Sequence, residues 1–130
     1  MGLDMFLIKD NGCDSLDSFE FDSELVYWRK ANQIHNYFCM VGEPIATEVF
    51  YKLKREDLLE LIKYIEAILS KEEPDRSKLA KVMLPTVGGF FFGSTVYDKY
   101  YYEDLIYTKK ELLELLESDD SDTFLYYASW

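Results

Sequence analysis

Over residues 55–70, Leu58, Leu61, Ile62, Ile65 and Leu69 recur at three- and four-residue intervals between charged positions. That spacing predicts an amphipathic helix with a single apolar stripe. A second helix is expected at 29–41, "RKANQIHNYFCMV", where Trp28, Ala31, Ile34 or His35, Phe38 and Val41 share the helical period and Gly42 provides a stop. A third is expected at 100–117 with Leu105, Ile106, Leu112, Leu113 and Leu116 inward, and a shorter one at 77–83 ahead of Pro85. β-Branched and aromatic content marks strands at 3–9 ("LDMFLIK"), 47–53 ("TEVFYKL") and in the closing "TFLYYASW", with a short extended piece entering at 23–28. Each long helix has one stripe and so needs one sheet face. The chain therefore reads as a single α+β domain, a mainly antiparallel sheet covered by about three helices.

Composition agrees with one packed core. The 130 residues are 48% hydrophobic and 17% aromatic, with 11 Tyr and 9 Phe, unlike the apolar-poor composition of chains that stay disordered. The longest apolar runs, "YFCMV" and "FFF", are far short of the ~20 residues needed to span a bilayer. The start "MGLDMFLIKD" lacks the charged-then-apolar pattern of an export signal, and Phe6 stands where a myristoylation site after Gly2 wants Ser or Thr. No membrane association is expected. Cys13 and Cys39 are the two thiols, both expected to be reduced in a cytosolic chain.

The net charge of −11 argues against nucleic-acid binding, which draws its affinity from Lys and Arg on phosphates. The acids cluster in two base-free runs: Asp10, Asp14, Asp17, Glu20, Asp22 and Glu24, then Glu111, Glu114, Glu117, Asp119, Asp120 and Asp122. These read as a solvated loop and a solvated helix face.

The stretch "GGFFFGST", 88–95, places Gly88 and Gly93 at the separation used by phosphate-cradling loops. Ser94 occupies the position that requires Lys, and three Phe fill the positions that must curl. Phe90, Phe91 and Phe92 are expected in the core, since three exposed in a row would form a sticky patch. Gly93, Ser94 and Thr95 can still present donors at a helix-entry turn. On the predicted helix at 29–41, Arg29, Asn32 or Gln33, and Asn36 share a side. Arg supplies a fixed fork of donors and Asn offers donor and acceptor together.

Joined with Tyr97 and Asp98, these make a candidate ligand site of Arg29, Asn32, Asn36, Ser94, Thr95, Tyr97 and Asp98. An internal hydrogen-bond network is the rival reading of the same residues. A Ser94, His35 and Asp98 triad can be written, but no nucleophile-elbow pattern accompanies it, and His35 reads as a core histidine. No catalytic residue, metal site or cofactor is assigned.

The pieces "MGLDM", "YWRKANQIHNYF", "GFFFGSTVYDKYYYEDL" and the terminal "ASW" together resemble a family of small phage and prophage proteins, with Tyr37 in place of an expected Trp. The resemblance covers the length of the chain. It implies a phage accessory protein acting in the bacterial cytoplasm and carries over no catalytic residues. Two functions suit such a protein. One is binding of a small polar, nucleotide-like ligand, such as a host-defence signal. The alternative is an acidic inhibitor or adaptor aimed at a host protein, of the anti-restriction or anti-CRISPR kind.

Overall fold

The structure, a computed structural model, describes residues 2–9, 24–41, 47–89 and 92–130. Cys13, the loop expected at 10–22, Gly42, Phe90 and Phe91 lie outside the described residues. The element order is β1 (Asp4–Lys9), β2 (Glu24–Arg29), α1 (Asn32–Val41), β3 (Phe50–Lys54), α2 (Arg55–Leu69), α3 (Asp75–Met83), α4 (Lys99–Ser118) and β4 (Thr123–Ser129). The strands form one antiparallel sheet in the order β2-β1-β4-β3. This is the expected α+β class, with four helices among the described residues.

Alternation along the strands sorts side chains onto two faces. Met5, Leu7, Val26, Trp28, Leu53, Phe124, Tyr126 and Ala128 face one way and share a single core with all four helices. On the other face Tyr27, Phe6, Tyr127 and Phe50 pair in register across β2, β1, β4 and β3. Their neighbouring rings lie 5.2, 6.1 and 4.8 Å apart in that order, within the range of favourable aromatic pairing. Ile8 and Leu125 are buried beside this row.

Two expected elements are corrected in detail. Trp28 and Arg29 end β2 rather than opening a helix, and α1 starts at Asn32. The break is Lys30, whose φ of 56° turns the chain sharply from strand to helix while its N–H donates to Leu3 O at 2.7 Å. In α4 the inward stripe is Tyr101, Leu105, Thr108, Leu112 and Leu115. Ile106 and Leu113 are exposed. Thr108 earns its inward place by accepting from Trp28 Nε1 at 2.8 Å and donating to Asp104 O at 2.7 Å.

The α2 stripe matches expectation at Leu58, Leu61, Ile62 and Ile65, with Ile68 buried and Leu69 half-buried. Arg55 at its start donates to the carbonyls of Leu116, Asp119 and Ser121 at 2.6, 2.6 and 3.3 Å. This guanidinium satisfies the C-terminal end of α4, which helix geometry leaves without partners.

Candidate functional site

Between α3 and α4 the chain runs from Leu84 to Asp98 without a helix or strand among its described residues. Its backbone groups therefore need partners from elsewhere. Asn32 and Asn36, four apart on α1, supply them. Asn32 Nδ2 donates to Phe92 O and Ser94 O, each at 2.9 Å, and Asn32 Oδ1 accepts from Val87 N at 3.1 Å. Asn36 Nδ2 donates to Pro85 O at 3.0 Å.

Further along, Tyr97 Oη accepts from Thr86 N at 3.0 Å, Thr86 Oγ1 donates to Thr95 O at 3.1 Å, and Tyr101 Oη donates to Leu84 O at 2.7 Å. Phe92 sits in the core, edge-on to His35 and Trp130. The glycines of "GGFFFGST" follow from this packing. A Cβ on Gly89 would meet the Phe92 ring at 2.9 Å, and Gly93 holds φ of 83° with Lys30 Cβ 3.1 Å from where its own Cβ would stand. The described residues of the stretch belong to no strand.

The turn and helix one do meet at a recess, of about 210 Å³. Arg29, Lys30 and Gln33 come to it from the β2–α1 junction. Gly93, Ser94, Val96 and Asp98 border it from the connection, and Tyr100, Tyr101 and Asp104 from the first turns of α4. Of the seven residues expected at a ligand site, Arg29, Ser94 and Asp98 line this recess. Asn32, Asn36, Thr95 and Tyr97 instead stand in the hydrogen-bonded strap described above. Lys30, Gln33 and Asp104 also line it and are not among those seven.

The charges of the recess are arranged by its elements. Asp98 caps α4, its Oδ1 accepting from Tyr100 N and Tyr101 N at 3.1 and 3.2 Å. This is the cap an acidic residue makes at a helix start. Gln33 is buried and donates from Nε2 to Tyr101 O at 3.2 Å. Asp104 is half-buried, and burial first, then the neighbouring Glu103 and Asp98 carboxylates, push its carboxyl up to about 6 against the opposing hydrogen bond from Gln33.

Arg29, which also borders the recess, is exposed and lies 3.8 Å from Asp4, a long pairing at the surface. Such a contact holds a side chain only weakly. Lys30 is exposed in a left-handed conformation, which a non-glycine residue adopts at a cost of roughly 1–2 kcal/mol and which is concentrated at binding sites.

His35 lies apart from the recess, in the core. Its Nδ1 is 2.6 Å from Tyr126 Oη and its Nε2 is 3.6 Å from Cys39 Sγ. Burial drops its pKa to about 4, so it is neutral at pH 7. Burial likewise holds the Tyr126 phenol protonated. His35 is a satisfied core histidine. Hollows of about 450 Å³ flank the start of α2, one bordered by Lys54, Arg55, Glu56 and Asp122. Both are larger. In the first the Arg55 guanidinium is already committed to three carbonyls, and the second is an acidic hollow bordered by Glu56, Asp57 and Glu60 with Lys63.

Among the described residues no group of three or more His, Cys, Asp or Glu is gathered to hold a metal ion, and no helix is long and apolar enough to cross a membrane. The fold and recess define a small α+β protein with a polar cleft at a strand–helix junction. No protein-family model, curated protein or solved structure matches the chain.

Proposed function

We propose that this chain is a binding module whose recess between the start of α1 and the start of α4 takes a small polar ligand. The observation that carries the reading is the meeting of Arg29, Lys30, Gln33, Ser94, Asp98 and Asp104 around one concavity. Binding sites combine a concave surface with a few convergent polar groups. Arg29 and Lys30 suit an anionic group, while Gln33 and Asp104 suit the donors of an amine or of a nucleobase edge.

A volume of 210 Å³ gives room for roughly seven waters at about 30 Å³ apiece. It accommodates a small metabolite whole, or one moiety of a nucleotide. In keeping with the phage-protein resemblance, the natural role we propose is that of an accessory protein in the bacterial cytoplasm that sequesters such a molecule, a host-defence signal among the candidates. The recess favours this over a protein-directed inhibitor, which would act through acidic surface instead.

Thermal melts against a panel of nucleotides and small phosphorylated or amino metabolites test the reading. A ligand present at a hundred times its Kd raises stability by about 2.7 kcal/mol. The wild type should show such a rise with at least one compound, and Arg29→Ala should lose it while melting normally alone. An unchanged melting temperature across the panel would sink the reading.

A further inference from the structure

The recess is bordered by charges of both signs, contributed by different elements. Arg29 and Lys30, both exposed, border it from the β2–α1 junction, Asp98 and Asp104 from the start of α4, and the buried Gln33 from α1. Resting on the ligand-binding reading, we propose that the recess selects a small dipolar ligand: a primary amine whose ammonium group lies against Asp104, and whose anionic end meets Arg29 and Lys30.

Charge complementarity argues for this against the simpler alternatives. An anion alone would be drawn to Arg29 and Lys30, but the Asp98 and Asp104 carboxylates bordering the same recess would repel it. A cation alone would be drawn to the two carboxylates but repelled by Arg29 and Lys30. An uncharged ligand would leave the desolvated Asp104 with Asp98 and Glu103 as uncompensated like charges, the condition that holds its carboxyl up at about 6. An ammonium group beside it supplies the missing opposite charge. The recess volume of about 210 Å³ suits a span of a few carbons between the two charged ends.

The sign of the Asp104 response separates these cases. Carbon-13 NMR of the side-chain carboxyls in the intact protein, titrated with pH, is followed with phosphoethanolamine and with its two halves, ethanolamine and inorganic phosphate, at matched ionic strength. Phosphoethanolamine is expected to move the Asp104 pKa from about 6 down toward the ordinary carboxylate range, because a nearby cation favours the ionised form. Phosphate alone, seated at Arg29 and Lys30, should leave it unchanged or raise it.

The dipolar probe should bind at least tenfold more tightly than either half, and Asp104→Asn should erase that advantage while leaving phosphate binding intact. Phosphate binding as tightly as phosphoethanolamine, or an Asp104 pKa that does not fall, overturns the inference. If a nucleotide still binds in an Arg29-dependent way, only the dipolar preference is lost and the site stands. If nothing in the metabolite panel binds, both fall together.

Discussion

Replacing Asn32 by alanine removes three hydrogen bonds through which α1 holds the connection into α4. Asn32 is 1% exposed, and its amide bridges Phe92 O, Ser94 O and Val87 N. The bond to Phe92 O is buried, and that carbonyl left without a partner costs about 1–3 kcal/mol. The other two bonds are part-buried, so water can replace much of what is lost, and each contributes about 0.5–1 kcal/mol. The expected destabilisation is therefore about 3 kcal/mol. With an unfolding entropy of about 2.1 cal/mol/K per residue over 130 residues, the melting temperature should fall by roughly 10 °C.

Differential scanning calorimetry, with urea denaturation as a check, measures this directly. Asn32→Asp should be at least as damaging near neutral pH, because it turns a carboxylate oxygen toward two carbonyls. A loss below about 1 kcal/mol for Asn32→Ala would refute the reasoning and return Asn32 to the pool of ligand-contacting residues.

Gly93→Ala should destabilise by roughly 1–2 kcal/mol, since φ is 83° and the new methyl would press on the Lys30 side chain. In a Lys30→Gly background the cost should shrink, and equal costs in both backgrounds would mean that the contact is irrelevant. The pH dependence has two opposed contributions. His35, lowered by burial to about 4, contributes stability that is present above its ordinary 6.5 and is lost as pH falls toward 4, because the unfolded chain takes up the proton first. Asp104, raised to about 6, works the other way: the folded chain binds its proton first, so stability rises as pH falls from 6 toward 3.8. Asp104→Asn should therefore show a steeper loss of stability than the wild type between pH 6 and 4 in urea titrations, and parallel curves would contradict the assignment.

Periodicity was a sound guide where apolar residues alone decide burial, as for Leu58, Leu61, Ile62 and Ile65 of α2. It misled where a polar partner or a single dihedral decides. Trp28 fits a helical spacing and a strand alternation equally well, and nothing in the residue type announces that Lys30 will take a positive φ. In α4 the apolar Ile106 and Leu113 face outward, while Thr108 goes in because Trp28 Nε1 needs an acceptor at that depth.

The meeting of helix one with the glycine turn was visible from their shared polar character. The division of labour within it was not. Asn32 and Asn36 look like recognition residues in isolation, and their role in the strap depends on backbone groups some fifty to sixty positions away. Gln33 and Asp104 had weaker sequence signals. Gln33 is the neighbour of Asn32, and Asp104 lies three residues after Tyr101, which brings both to the recess once β2 has ended at Arg29.

Chemical-shift mapping tests the central claim most directly. Amide proton–nitrogen spectra of the labelled protein are recorded while small phosphorylated and amino metabolites are added in turn, and the perturbed residues are placed on the fold. Saturable shifts concentrated at residues 29–33 and 93–104, lost in Arg29→Ala, are the predicted result. Shifts that saturate elsewhere, or no shifts with any compound at millimolar concentration, would contradict the assignment of this recess as the binding site.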